Sequence, residues 1–145
     1  MTVTAVDRFV DFNDVAVGHS VTIRREITAA AVNAFAELSG DFNPIHVNEQ
    51  FAQRSGFAKR VVHGALLAAY LSCLFGVHFP GPGCLWTKQG LEWRTPVFVG
   101  DVIDFQATVK HKSVGTRTLV LVVEAKNQDG RIVMTGEGAV RVMAA

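Results

Sequence analysis

The sequence is poor in cysteine, carries almost no net charge and has no apolar run long enough to cross a bilayer, and each shortage excludes a class of protein. Only Cys73 and Cys84 occur, and their spacing is not CxxC, so neither a zinc site nor a disulfide framework is expected. Both sit among apolar neighbours and read as small buried hydrophobes in a reducing cytosol. A catalytic thiolate at Cys73 would have no basic residue beside it in sequence. The formal net charge is +1, with acids and bases interspersed, which gives no reason to expect nucleic acid or an anionic membrane as partner. The longest charge-free run, residues 61–87, is broken by His63, His78 and Pro80-Gly81-Pro82-Gly83. Its helical part, residues 64–77, is shorter than the roughly 20 residues needed to span a bilayer. Residues 1–10 include Asp7 and Arg8 and have no long apolar stretch, so no signal peptide is expected and the location expected is cytoplasmic. P-loop, GxGxxG, HExxH and GxSxG patterns are all missing.

What is present is a chain of 145 residues, 49% hydrophobic and 19% charged, enough for one domain spanning residues 1–145 with a real core. Residues 21–28 alternate in part and suggest a first strand. Thr28 suits a helix N-cap, and Ala31, Ala34, Phe35 and Leu38 fall at i, i+3, i+4 and i+7 of a helix ending at Gly40. Asn48 is a second N-cap candidate, for a short helix to about Arg54 closed by Ser55-Gly56. The run after His63-Gly64 is apolar almost all round and predicts a helix buried on most sides. From Leu85 the period changes to two, giving strands over residues 85–95, 103–110, 119–125 and 131–143, with a hairpin turn at 127–130. The order describes an α+β domain in which a curved antiparallel sheet wraps one central helix. Exposed sheet edges or helix faces favour a homodimer.

The segment with most chemical content is Leu38-Ser39-Gly40-Asp41-Phe42-Asn43-Pro44-Ile45-His46. Pro44 pushes Asn43 towards extended backbone and prevents a continuous helix. Asp41 and His46 therefore read as an acid and an imidazole on one loop, able to handle a proton near neutral pH. Asn43 can orient either partner or brace the loop. The same residues could equally build an Asx-turn beside a surface histidine. His63-Gly64 adds backbone N–H groups at a helix N-terminus, which suit a developing negative charge on a ligand oxygen, although the glycine could merely relieve a turn. Ser72 lies about two turns further on and could bond a ligand or its own helix. His19, His78 and His111 have no partners at ligand spacing, and no metal site is expected.

The loop motif, followed by Val62-His63-Gly64, resembles the MaoC-like (R)-specific enoyl-CoA hydratases of the hot-dog fold. Phe51-Ala52, Leu66-Leu67-Ala68 and Pro96-Val97-Phe98-Val99-Gly100-Asp101 extend the resemblance over most of the chain. It implies that Asp41 and His46 hold and deprotonate water, that Asn43 supports them, and that Gly64 N–H binds the thioester oxygen. Ser72, with His63, would line the same substrate site. The implied substrate is an acyl-CoA, with no cofactor and no metal. Phe57, Leu67, Tyr70, Leu71 and Phe75, with Leu85, could shape the acyl pocket or be core. Lys59, Arg60, Lys88 and Arg94 are candidates for the CoA phosphates. A hot-dog thioesterase, a non-catalytic acyl-CoA binder and a dehydratase acting on acyl carrier protein substrates are the competing readings.

Overall fold

The structure, a computed structural model, describes residues 10–144. The expectation for the first nine residues lies outside the described residues. A single turn of 3-10 helix, Phe12–Asp14, precedes β1 (Ser20–Glu26). Four helices follow, α1 (Ala29–Ser39), α2 (Pro44–Val47), α3 (Glu49–Arg54) and α4 (Gly64–Cys73). The strands β2 (Cys84–Trp93), β3 (Val102–Ser113), β4 (Thr118–Lys126) and β5 (Ile132–Val142) complete the chain. They form one five-stranded sheet in the order β1-β3-β4-β5-β2. Every pairing is antiparallel, with register shifts at Trp86/Lys88, Val109/His111 and Ala125/Lys126. Such bulges increase local twist and bend the sheet. Strands β1 and β2 are its two edges.

The concave face is built by strict alternation. Ile103, Phe105, Ala107 and Val109 of β3, and Leu119, Leu121, Val123 and Ala125 of β4, are all buried in one cluster. Leu66, Leu67 and Leu71 of α4 belong to that same cluster, with Leu74 and Phe75 of the π-helical turn Leu74–His78 that continues α4. The sheet thus curls round α4, the α+β hot-dog arrangement expected. Leu71 is fully buried, and its truncation to Ala would cost about 2–5 kcal/mol through lost contacts and the cavity left behind.

Local signals hold the helices that carry the site. Thr28 Oγ1 accepts the Ala31 N–H at 3.1 Å, and Gly40 closes α1 in the left-handed region at φ 77°. Asn48 Oδ1 accepts the Phe51 N–H at 2.8 Å and caps α3. The apolar face of α1 differs from the expected stripe. Val32 and Ala36 are buried and Ala31 and Phe35 half-buried, whereas Leu38 is 86% exposed. Two overlapping helical stripes exist in this sequence, and periodicity cannot choose between them. The turn from fully buried Ile27 through the Thr28 cap fixes the rotation that brings Val32 inward. The cysteines also differ from expectation, being half-buried rather than enclosed. Arg25 of β1 brings a guanidinium nitrogen to 3.7 Å from Cys73 Sγ, a basic neighbour invisible in local sequence.

Candidate active site

The segment after α1 is a chain of short turns, each closed by a side chain. Ser39 Oγ donates to the Phe35 carbonyl at 2.7 Å and accepts the Asp41 N–H at 3.1 Å. Asp41 Oδ1 accepts the Asn43 N–H at 3.1 Å, and Asn43 Oδ1 accepts the Ile45 N–H at 3.3 Å. Pro44 then occupies the first turn of α2, where its missing N–H and fixed φ are no handicap. His46 is therefore carried on a one-turn helix, not on the loop expected from Pro44. The Asx-turn and the acid–base reading are compatible. Asp41 uses Oδ1 for the turn and leaves Oδ2 facing His46 Nε2 at 4.0 Å.

The imidazole of His46 is oriented from behind. Its Nδ1 lies 2.7 Å from the Val61 carbonyl. A carbonyl can only accept, so Nδ1 carries hydrogen and Nε2 is the nitrogen turned to Asp41. A gap of 4.0 Å is too long for a direct hydrogen bond and suits one bridging water. His46 is nearly buried, while the side chain of Asp41 is about half exposed.

Gly64 opens α4 beside this pair. His63 occupies the N-cap position without a side-chain capping bond, and its carbonyl takes the Leu66 and Leu67 N–H groups, which leaves the Gly64 N–H at the helix start without an intrahelical or capping partner. His46 and Gly64 line one cavity of about 280 Å³, together with Phe57, Leu67, Trp93 and Val97. The Trp93 indole lies against Gly64, with its Nε1 donating to the Gly64 carbonyl at 3.1 Å. A Cβ at residue 64 would come 2.9 Å from that indole, so any larger residue here requires the indole to shift.

An acid–imidazole pair and the Gly64 end of α4 thus meet at one small, largely apolar cleft beside the sheet-wrapped helix. The family model for a MaoC like domain matches residues 13–130. A 3-hydroxybutyryl-CoA dehydratase of Methylorubrum extorquens is 36% identical over 93% of this chain and 85% of its own. An (R)-specific enoyl-CoA hydratase of Rhodospirillum rubrum is also 36% identical, over 92% of each chain. Among solved structures, an (R)-hydratase from A. caviae involved in PHA biosynthesis superposes with a TM-score of 0.87 at 35% identity, covering 90% of this chain and 98% of that one. The chain belongs to the MaoC-like family.

In this MaoC-like chain the remaining candidates divide. Phe57 and Leu67 line the cavity. Leu71 and Phe75 are core instead, and Tyr70 packs on Phe105 with ring centroids 5.5 Å apart. Burial pushes the Tyr70 phenol upward from its usual range. Leu85 is exposed on the β2 edge, away from the cavity lining. Ser72 is also exposed, roughly 12 Å along the α4 axis from Gly64 and about 80° round it, and it does not line the cavity. His63 is 1% exposed and has no open path to a substrate.

The four basic candidates also separate. Arg60 is engaged within the fold, its Nε donating to the His46 carbonyl and its Nη2 to Asn33 Oδ1, each at 2.6 Å. Arg94 borders the cavity, paired to Glu92 at 2.7 Å. Lys59 and Lys88 are exposed and do not line the cavity. Sequence reasoning missed Trp93, which could have been suspected only from an aromatic close to the Pro96-Val97 strand end. Asp41, His46 and His63 offer ligand atoms within 4.8 Å of one another. Yet one nitrogen of each ring already serves a carbonyl, and the remaining His63 nitrogen, Nδ1, is enclosed, so the set fits proton handling better than metal binding.

Proposed function

We infer that this protein is an (R)-specific enoyl-CoA hydratase, a hydro-lyase that adds water reversibly to a trans-2-enoyl-CoA. The observation that carries the reading is the approach of Asp41 Oδ2 and His46 Nε2 to 4.0 Å, a separation at which one water lying to the side can bond both, beside the open N-terminus of α4. Water held between the two side chains gives up a proton to the pair as its oxygen bonds to C3. The electron pair of the double bond moves towards the thioester carbonyl. The Gly64 N–H, at the positive end of the helix dipole, takes the developing charge on that oxygen. Return of a proton to C2 completes an (R)-3-hydroxyacyl-CoA, so one water is consumed and nothing is oxidised. These steps require no cofactor and no metal.

The cavity fits a short acyl head, with Phe57, Leu67, Trp93 and Val97 against the chain. Arg94 is the basic residue placed to meet a phosphate of the carrier. We place the reaction in the cytoplasm, within one domain formed by the whole chain. A homodimer would cover the unpaired edges β1 and β2, or the exposed face formed by Ala65, Ala69 and Ser72 of α4 with Gly76 of the π-helical turn. Light scattering during gel filtration would give twice the chain mass if so, and a single chain mass would remove the dimer from the account.

Crotonyl-CoA is the first substrate to try. Loss of the conjugated thioester absorbance without release of free thiol supports hydration. Thiol release from crotonyl-CoA and butyryl-CoA alike would make the protein a thioesterase. Binding without either change would make it an acyl-CoA binder. Turnover of crotonyl-acyl carrier protein alone would move the substrate class to the protein-bound thioester.

A further inference from the structure

The His63 side chain touches both halves of the acid–base pair. Its Nε2 lies 2.9 Å from the backbone carbonyl of Asp41, and its ring stacks on His46 with centroids 3.9 Å apart and planes 28° apart. Phe35 of α1 packs against the same ring, tilted by 59° with centroids 4.8 Å apart. The Asp41 carbonyl only accepts, so Nε2 carries the hydrogen. Nδ1 is left buried and without a hydrogen-bond partner. An enclosed polar atom with nothing to bond is normally disfavoured, and an apolar ring would fill the same space without it. What the imidazole adds over such a ring is the bond to Asp41.

We propose that His63 is a positioning residue: its Nε2–H fixes the backbone of Asp41 while its face backs His46, so that Oδ2 and Nε2 keep their separation. His63 also begins α4, with its carbonyl accepting the Leu66 N–H at 3.1 Å. The bond therefore ties the acid to the helix end that supplies the Gly64 N–H. Asp41 otherwise stands on an exposed run of turns, where small rotations of the peptide would swing Oδ2. A displacement of about 1 Å at a reacting group can reduce turnover on the order of 100-fold.

The inference rests on the hydratase reading, and the two fail differently. If the native chain does not hydrate crotonyl-CoA, the activity assignment is wrong. If the native chain is active and His63 variants match it, only the role of His63 is wrong. His63→Phe keeps a ring and removes the donor, whereas His63→Gln keeps a donor at similar reach. The expected result for His63→Phe is a kcat lower by about 10- to 100-fold, with KM within about threefold of native. His63→Gln should recover most of that loss. Calorimetric titration with butyryl-CoA should give an unchanged number of sites per chain. In an Asp41→Asn background, His63→Phe should lower the residual rate by less than about threefold, because the group being positioned no longer acts.

Equal rates for His63→Gln and His63→Phe would overturn the proposal. So would a site count falling in proportion to kcat, which would indicate lost folded protein. Should neither variant fold, nitrogen NMR of the native imidazoles decides the bond itself. A single Nε2–H tautomer at His63 is expected, and an Nδ1–H tautomer would overturn it.

Discussion

The carbonyl of Val61 and Nδ1 of His46 are 2.7 Å apart, and that contact determines which nitrogen of the imidazole faces the acid. Val61 is itself held at both sides. Its N–H donates to the Ile45 carbonyl at 3.0 Å, and the next residue, Val62, donates to Val97 at 2.7 Å. The ring is thus oriented by backbone that the sheet-side segment fixes. His46→Gln keeps an amide near Nε2 but loses this support and the imidazole's proton chemistry. Its kcat for crotonyl-CoA should fall by about 100- to 10,000-fold, the usual worth of general acid–base catalysis. Steady-state kinetics checks this, and a loss under tenfold would contradict the role.

Gly64→Ala places a methyl group 2.9 Å from the Trp93 indole. The indole is 51% exposed at the far end of a flexible side chain, so it can move aside and the fold should survive. Stability should drop by about 1 kcal/mol, near the lower limit for overpacking. Trp93→Ala in the same chain should remove most of that penalty, which thermal melting of both single variants and the double variant would measure. Additive losses would show that the two residues do not meet.

Arg60→Met tests whether this guanidinium serves the fold or the ligand. Its bond to the His46 carbonyl is charge-assisted and lies at the C-terminal end of α2, so losing it should cost about 1.5–3 kcal/mol of stability. The kcat should fall as α2 loosens, while KM for crotonyl-CoA stays near native. A large rise in KM with native stability would instead assign Arg60 to the CoA phosphates. Arg94→Met should give that second pattern.

The paired fork of Arg24 on Asp104, two bonds of 2.8 Å across the β1–β3 edge, holds the Asp104 carboxyl below its usual value. A carboxylate with a depressed folded value adds stability above its unfolded value and loses it as pH falls through the folded one. Asp104→Asn should therefore be slightly less stable than native at neutral pH. That difference should fade as pH falls through the depressed carboxyl value, as acid melting curves would show. A difference that persists in strong acid would contradict the ion pair as its cause. Both groups are exposed, so the effect is small.

The features legible in the sequence were those governed by local rules. Thr28, Gly40 and Asn48 act as caps because their side chains or backbone satisfy helix ends a few residues away. The alternation in β3 and β4 revealed the sheet face because period two is forced by the pleat. Asp41 and His46 were visible as a motif with a chemical use. What could not be read were relationships across the chain. The Arg60 side chain reaches Asn33, Arg25 reaches Cys73, and Trp93 covers Gly64, each through folding that no spacing reports. Leu71 and Phe75 could not be assigned between pocket and core, because both environments select large apolar residues. His63 was expected to line the substrate site, and only its burial shows that it stands behind Asp41 and His46 instead of facing the cavity.

The central claim is that Asp41 and His46 activate water for addition to an enoyl thioester. The most direct measurement is the rate of crotonyl-CoA hydration by the native chain and by Asp41→Asn, with the configuration of the product determined. The Asp41 side chain is about half exposed, and Asn can still accept the Asn43 N–H through its amide oxygen, so the variant should melt within a few degrees of native. The account predicts (R)-3-hydroxybutyryl-CoA from the native chain and a rate lower by about 100-fold or more for Asp41→Asn. Native-like turnover by the folded variant, or an (S) product, would contradict it.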